Sequence, residues 1–164
     1  MLKIRKFQIG DEPELRKLFF KTIRTVNIRD YSEAQVNAWA PEEYDQADWR
    51  NKMLSIEPFV AILDKKIVAY ADLQADGYIK HFFCHADFQG KGLGKTLMQV
   101  LHDAALQQGC IRLYSHVSIS AKGFFEHFSF KMLKAQHLEI RGQRLKNFVM
   151  EKHLVVKRNN NNRI

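Results

Sequence analysis

The residues best suited to chemistry lie between positions 89 and 95, in the stretch QGKGLGK. An apolar run over 78–85 precedes it, and apolar residues at helical spacing follow as far as residue 108. Glycines let a backbone approach a ligand closely, and the first N–H groups of a helix lack acceptors, so the two together can bind an anion. The pattern predicts a phosphate-binding loop to which Lys91 and Lys95 add positive charge; an ordinary glycine-rich turn is the alternative.

Two common nucleotide-binding patterns do not fit this stretch. A P-loop reads G-x-x-x-x-G-K-[ST], and counting back from Gly94 puts Gln89 where the first glycine belongs. The dinucleotide pattern G-x-G-x-x-G fails as well, because Lys95 and Leu97 occupy the places of its third glycine. The pattern that remains is Q-x-x-G-x-G, from Gln89 to Gly94.

Length and composition favour one cytoplasmic domain. The chain has 164 residues, of which 46% are hydrophobic; we assign 1–154 to one domain and 155–164 to a polar, basic tail. No stretch resembles a signal peptide or a membrane span, and we expect no membrane partner. The net charge of +8 suits a polyanion, either nucleic acid or a phosphate-rich cofactor. No nucleic-acid motif is found, so nucleic acid is not the expected partner.

No metal or disulfide is expected. Cys84 and Cys110 form no metal-type pattern and are expected to be reduced. His81 and His85 stand four residues apart on a predicted strand, about 13 Å at ~3.3 Å per residue, so one ion cannot bind both.

Apolar periodicity and turn residues predict an α/β (α+β) fold with a mixed sheet. Short turns between 59–63, 67–74 and 78–85 require antiparallel pairing, and strand, helix, strand over 78–117 forms a βαβ unit. The expected strands are 2–7, 59–63, 67–74, 78–85, 111–117, 131–140 and 143–152, and the expected helices begin at Asp11 and Ser32 and cover 91–108 and 119–128.

A second stretch, AKGFFEHFSF over 121–130, adds a specific resemblance. The Q-x-x-G-x-G loop after a strand ending in FFCH resembles the acetyl-coenzyme A loop of the GNAT superfamily of N-acetyltransferases, and 121–130 resembles that family's later helix, A-x-x-F-Y-E-x-x-G-F. The order of elements over 1–154 is similar too, and the stretches 28–41 and 144–154 resemble a subset of bacterial GNAT proteins.

The resemblance implies a single-domain GNAT-like fold and a binding mode for acetyl-CoA. The mostly antiparallel sheet would have about seven strands, flanked by helices, and would be splayed between 78–85 and 111–117 to admit the cofactor. The implied cofactor-binding residues are Phe82, Phe83, Cys84, Gln89, Gly90, Lys91, Gly92, Leu93, Gly94, Lys95, Phe124 and Phe125.

The implied reaction moves an acetyl group directly from acetyl-CoA to the primary amine of a small molecule or peptide. It needs a neutral amine, a polarised carbonyl and a proton for the departing thiolate. Many family members carry a tyrosine at the position of Phe125, and phenylalanine has no proton to give. Ser118, Ser120 or a water are the candidates that remain. The alternative is a catalytically weak or inactive acyl-CoA-binding or regulatory module.

The candidates for the base lie on the predicted strand 78–85, and the 28–50 segment lies where the resemblance implies the acceptor pocket. Tyr78 stands where some relatives have a glutamate, and His81 has the better intrinsic pKa, ~6.5. Asp72 could orient His81 or be a solvated strand carboxylate, and we place it in the substrate pocket. Tyr31 and Trp39 complete that pocket. The acidic residues Glu42, Glu43, Asp45 and Asp48 could attract an amine, or be solvated. A homodimer is left open.

Overall fold

The computed structural model describes residues 1–155. Within these residues, eight strands form two four-stranded sheets, ordered β1-β2-β3-β5 and β4-β6-β8-β7, and five α-helices pack against them. In chain order the elements are β1 Leu2–Lys6, α1 Glu12–Thr25, α2 Glu33–Trp39, α3 Gln46–Ile56, β2 Phe59–Leu63, β3 Lys66–Ala71, β4 Tyr78–Ile79, β5 Phe82–Cys84, α4 Leu93–Gln107, β6 Arg112–Ser118, α5 Lys122–His127, β7 Lys131–Ile140 and β8 Gln143–His153.

The predicted fold class is confirmed. Neighbouring strands are antiparallel except for β4 and β6, which are parallel because α4 carries the chain back across the sheet. The strands number eight rather than seven, since the predicted strand 78–85 breaks at Lys80 and His81 into β4 and β5. The predicted tail, 155–164, lies outside the described residues apart from Val155.

Local signals explain most element boundaries. Ser32 and Gln35 form the predicted capping box of α2, each side chain accepting the other residue's backbone N–H. Asp11 does not cap α1 as predicted; its carboxylate instead pairs with Arg5 and accepts the N–H of Gln8. Ser129, where the family pattern has glycine, adopts a φ of 69°, in the left-handed region that glycine favours.

Two apolar clusters hold the helices on the sheets. One joins α4 and α5 to the strands through side chains such as Leu97, Leu101 and Phe125. The other joins α1, α2 and α3 to the opposite face through Leu15, Val36 and related side chains. Helices on both faces bury the sheet and leave the region between β5 and β6 for a site. None of the helices in the described residues is long and apolar enough to cross a membrane.

Candidate active site

The two sheets separate just beyond the short paired part of β4 and β6. These strands pair only over Tyr78–Ile79 and Tyr114–Ser115, whereas β6 stays paired with β8 as far as Ser118. At Lys80 and His81 the chain leaves β6, and β5 continues along β3 in the other sheet. The opening has β5 on one side and the second half of β6 on the other, as expected for the splayed family fold.

Asp72 holds the chain where it changes sheet. Its fully buried carboxylate accepts the backbone N–H of His81 and, at 2.7 Å, a hydrogen bond from the side chain of Gln74. Burial raises the pKa of this carboxyl, and the two hydrogen bonds oppose that rise. Asp72 lines neither cavity beside the opening, so the structure does not support its predicted place in the substrate pocket. Because its side chain is fully buried, it is not a solvated carboxylate either.

Strand β5 has one open edge. Among residues 1–155 it pairs only with β3, and the flanking bonds join the His81 carbonyl to the Asp72 N–H, just after β3, and the His85 N–H to the Val68 carbonyl. Ladder bonds between antiparallel strands recur at every second residue, so the amides of Phe82 and Cys84 point away from β3. These two N–H groups face the opening, where they can donate hydrogen bonds to a carbonyl oxygen.

The glycine loop presents further free amides. Gly90 and Gly92 have φ values of 74° and 79°, which residues with a Cβ rarely adopt. No side chain caps α4, and its first backbone bond runs from the Thr96 N–H to the Gly92 carbonyl. Within the described chain, the N–H groups of 93–95 therefore have no acceptor. The positive end of the helix dipole lies at the same point, so the loop can bind an anion.

Two contacts fix the loop against its neighbours. The side chain of Gln89 donates to the Cys84 carbonyl at 2.8 Å, which ties the loop to the end of β5. Gly94 lets α5 approach α4, because a Cβ at this position would lie 2.8 Å from the ring of Phe124.

A cavity of about 410 Å³, here called the loop cavity, runs from the glycine loop to the opening. All the predicted cofactor-binding residues line it except Lys91, whose ammonium lies 5.1 Å from the ring centre of Phe88. Further lining residues, which the sequence did not single out, include Val26, Asn27, Phe88, Ala121, His127 and Phe128. Their contribution depends on how the chain folds, and only Ala121, His127 and Phe128 fall in a recognised stretch, 121–130.

A second cavity of about 400 Å³, here called the sheet cavity, lies on the other side of the opening. It contains the predicted residues Tyr31, Trp39, Tyr78, His81 and Ser118. Five residues line both cavities: Phe82, Phe83, Ser118, Ala121 and Phe125. The two cavities therefore meet beside the open edge of β5.

Neither predicted base is a strong one. Burial lowers the pKa of His81 to about 3, and Lys52 and Lys80 contribute to the shift. Its Nδ1 lies 3.0 Å from the Tyr70 hydroxyl, so the neutral ring accepts that hydrogen bond. Burial also raises the pKa of Tyr78, which keeps this phenol protonated at neutral pH.

Ser118 has a free donor at the junction of the cavities. Its Oγ accepts hydrogen bonds from the Asn27 side chain at 3.4 Å and from the Ala121 N–H at 3.1 Å. Within the described residues no acceptor is paired with its O–H. Phe125 is buried beside it, with ring centres 5.9 Å from Phe82 and 4.9 Å from Phe130, and supplies no polar group.

Tyr31 is a structural bridge as well as a wall of the sheet cavity. Its hydroxyl donates to the Lys146 carbonyl at 2.6 Å and accepts the Ile119 N–H at 2.9 Å. Trp39 packs edge-on against it, with 5.5 Å between ring centres.

The acidic residues of the 42–48 stretch do not line the sheet cavity. All four are exposed, and Asp45 caps α3 by accepting the Asp48 N–H at 2.9 Å. The solvated alternative is therefore the correct one for these acids. The charged residues that do line the cavity are cationic, and sequence reasoning did not single them out.

Comparison with known proteins defines the class. The family model of the GNAT acetyltransferase domain matches residues 27–154, most of the chain. The chain therefore belongs to the GNAT family of acetyltransferases, as the sequence predicted. It is an N-acetyltransferase, and its cofactor is acetyl-CoA.

Individual relatives agree with this assignment. The chain is 29% identical to the uncharacterized N-acetyltransferase YafP of Escherichia coli K12 over 149 residues, covering 91% of this chain and 94% of that protein. It is similar to the crystal structure of a GCN5-related N-acetyltransferase from Rhodopseudomonas palustris, with a TM-score of 0.89, 27% identity and coverage of 93% and 95%. YncA of Salmonella typhimurium, solved with its cofactor acetyl-CoA, shares the fold with a TM-score of 0.68, 15% identity and 95% coverage of both chains.

Proposed function

We propose that the protein transfers the acetyl group of acetyl-CoA directly to the primary amine of a small molecule or peptide. The observation that carries this proposal is the meeting of two cavities at the open edge of β5. One cavity suits the donor because it ends in free helix amides, and the other is left for the acceptor. An amine in the sheet cavity can then reach a carbonyl held at the junction without a covalent enzyme intermediate.

The residues of the loop cavity fit a coenzyme A diphosphate. Uncapped amides at 93–95 and the side chain of Lys95 offer donors and positive charge, and Gly90 and Gly92 add no side chain that would block them. When bound, acetyl-CoA supplies a thioester carbonyl as the electrophile. The amides of Phe82 and Cys84 polarise that carbonyl.

Ser118 serves the departing sulfur. Two hydrogen bonds occupy its Oγ as an acceptor, and its O–H has no acceptor among the described residues, so it is free to donate to a bound group. Ser118 lies at the junction of the cavities, where it can donate a hydrogen bond to a thiolate that forms there. It would then stabilise the departing thiolate, which Phe125 cannot do because it has no hydroxyl.

The charges around the acceptor, rather than a strong base, favour the neutral form of the amine. His81 stays neutral, and because its Nδ1 accepts the Tyr70 hydrogen bond, its Nε2 carries the single ring proton and takes up no proton from an amine. The cationic residues of the sheet cavity disfavour a further ammonium ion. Both effects favour attack by an amine that enters without its proton.

The second candidate function is an acyl-CoA-binding module with little turnover, and the buried Phe125 is the observation that favours it. Thiol release from acetyl-CoA, measured against a broad panel of amines, tests both candidates, with calorimetry of acetyl-CoA binding alongside. Binding with acceptor-dependent thiol release is the expected result. Binding without release on any amine would favour the module, and the absence of binding would contradict both.

A cytoplasmic location is part of this proposal. Cys84 and Cys110 are both free thiols, as is usual for proteins of a reducing compartment.

A further inference from the structure

The charged side chains that line the sheet cavity are all cationic among residues 1–155. They are Lys52, Lys80, Arg141 and Lys146, and no aspartate or glutamate lines this cavity. The four come from separate segments: α3, the β4–β5 connection, the β7–β8 turn and β8. All four side chains are exposed, and none forms an ion pair within the described part of the chain.

These cations lie close enough to affect one another. Lys52 is exposed at the surface but loses part of its solvent inside the cavity; this desolvation lowers its pKa, and the charges of Lys80 and Arg141 lower it further. Arg141 is held in place, because its Nη1 donates to the Ala38 carbonyl at 2.7 Å. Like charges gathered in this way repel one another, and an anion among them would relieve the repulsion.

Nearby acidic groups do not neutralise the cluster. Asp72 is fully buried and its oxygens accept hydrogen bonds from His81 and Gln74. Asp76 is bound to the Tyr114 hydroxyl and lies outside the cavity lining. The cavity therefore keeps its positive field for whatever enters it.

The sheet cavity also contains an acceptor for an N–H group. Asn147 lines it and is 8% exposed, and its buried Oδ1 receives no hydrogen bond from the described residues. The residue paired with it on the neighbouring strand β6 is Ser118, at the junction of the two cavities. An amine near this junction could donate to Asn147 while cations bind another part of the same molecule.

We propose that the acceptor is an amine that also carries an acidic group, a carboxylate or a phosphate, bound by Lys52, Lys80, Arg141 and Lys146. This rests on the proposed acetyl transfer. The cations bind the acidic group, and their field keeps the amine unprotonated, so one cluster serves both recognition and reactivity. A polyamine would meet four like charges, and a neutral amine would forgo the attraction.

Matched pairs of acceptors that differ in charge test the proposal. β-Alanine is compared with β-alaninamide, and phosphoethanolamine with ethanolamine, through kcat/KM for thiol release from acetyl-CoA. The acidic member of at least one pair is expected to exceed its neutral partner tenfold or more, and the pair that does so distinguishes carboxylate from phosphate. Equal or higher values for both neutral members, or a preference for spermidine, would overturn the proposal.

A binding measurement separates failure of this inference from failure of acetyl transfer. Calorimetry compares N-acetyl-β-alanine and N-acetyl-phosphoethanolamine with N-acetyl-β-alaninamide and N-acetyl-ethanolamine, in the presence of coenzyme A. Tighter binding of an acidic product, by tenfold or more, supports the charge recognition even if no amine is turned over. Turnover of neutral amines with no such difference in binding would support acetyl transfer but would contradict the recognition of an acidic group.

Neutral substitutions of the cavity lysines test whether these residues bind the acidic group. Lys52→Gln and Lys80→Gln are each expected to raise KM for the acidic acceptor at least fivefold while changing KM for acetyl-CoA less than twofold. Lys3→Gln is the matched control, since Lys3 is an exposed lysine on β1 that lines neither cavity. An unchanged KM for the acidic acceptor in both cavity variants would contradict the assignment.

Discussion

Ser118 lies where the two cavities meet, and its hydroxyl combines two incoming hydrogen bonds with a free O–H. Phe125 fills the neighbouring space with an apolar ring, so the polar group nearest the junction comes from β6 instead of α5. His81 shows the opposite case, a polar ring buried by its neighbours until it holds no charge near neutral pH. At the scale of the residue, burial and hydrogen bonding therefore decide which side chain can act.

Removing the Ser118 hydroxyl tests its proposed role. We expect Ser118→Ala to lower kcat about tenfold, the value of one hydrogen bond of ~1.4 kcal/mol formed in the transition state. KM for acetyl-CoA should change less than twofold, as measured by steady-state thiol release. Ser120→Ala is the comparison, because Ser120 is the other serine candidate but lines only the loop cavity, away from the junction where Ser118 lies. An undiminished kcat in Ser118→Ala would contradict the assignment.

The buried His81 predicts how stability depends on pH. Its folded pKa is about 3, against an ordinary value of 6.5, so below pH 6.5 the unfolded chain binds a proton that the folded protein does not. The free energy of unfolding should therefore fall with pH, and by pH 5 the loss from His81 alone is about 2 kcal/mol. Urea unfolding at pH 7 and pH 5 measures this loss. In His81→Gln the loss should be smaller by the same amount, and an equal loss in both proteins would refute the prediction.

At the scale of the element, β5 and α4 build the site from backbone rather than from side chains. The open edge of β5 and the uncapped start of α4 supply N–H groups that no substitution removes directly. Glycines control access to them, and Asp72 fixes the point at which the strand changes sheet. Tests at this scale must therefore act on packing around the backbone.

Gly94 offers such a test. Gly94→Ala places a methyl group 2.8 Å from the Phe124 ring, which must move into the loop cavity or away from α4. We expect KM for acetyl-CoA to rise about fivefold, while stability is kept because alanine favours a helix by up to ~1 kcal/mol over glycine. Gly123→Ala in α5 is the control, since its added methyl group would meet open space. Equal KM values in the two variants would show that the approach of α5 to the loop does not shape the cofactor site.

At the scale of the molecule, two apolar clusters on opposite faces hold the sheets in a splayed arrangement. The clusters place helices on both faces, while Tyr31 links the loop before α2 to β8 and to the end of β6. Around this frame the chain has 26 basic and 18 acidic residues. An excess of positive charge over a whole protein speeds its association with anions.

This charge predicts a dependence on ionic strength. We expect kcat/KM for acetyl-CoA to fall several-fold between about 20 and 300 mM NaCl, because the salt screens attraction between the basic protein and the anionic cofactor. Stopped-flow or steady-state thiol release at a saturating acceptor concentration measures the effect. Sucrose at equal osmolality is the control and should leave the rate unchanged. A flat salt profile would show that the net charge does not assist binding.

Local patterns in the sequence by themselves determined the glycine loop and the position of α4. The glycine spacing and the strand-to-helix transition identified the loop, and helical periodicity located α4 to within two residues of its observed start. Helix α3 was missed because only Trp49, Met53 and Ile56 are buried along its length, which leaves a weak apolar pattern. Signals carried by neighbouring residues can be read without knowing the fold, provided the pattern is strong.

Only the tertiary structure decided two other features, the break in the predicted strand 78–85 and the charge of the sheet cavity. The break of the predicted strand 78–85 depends on Asp72, which lies on the far side of a turn and accepts the His81 N–H only when the chain is folded. The charge of the sheet cavity depends on α3, two connections and β8, which folding brings together from residues 52–146. The sequence specifies which charged groups the chain carries. The net charge of a cavity, however, is a sum over residues from distant segments, and only packing determines which of them contribute.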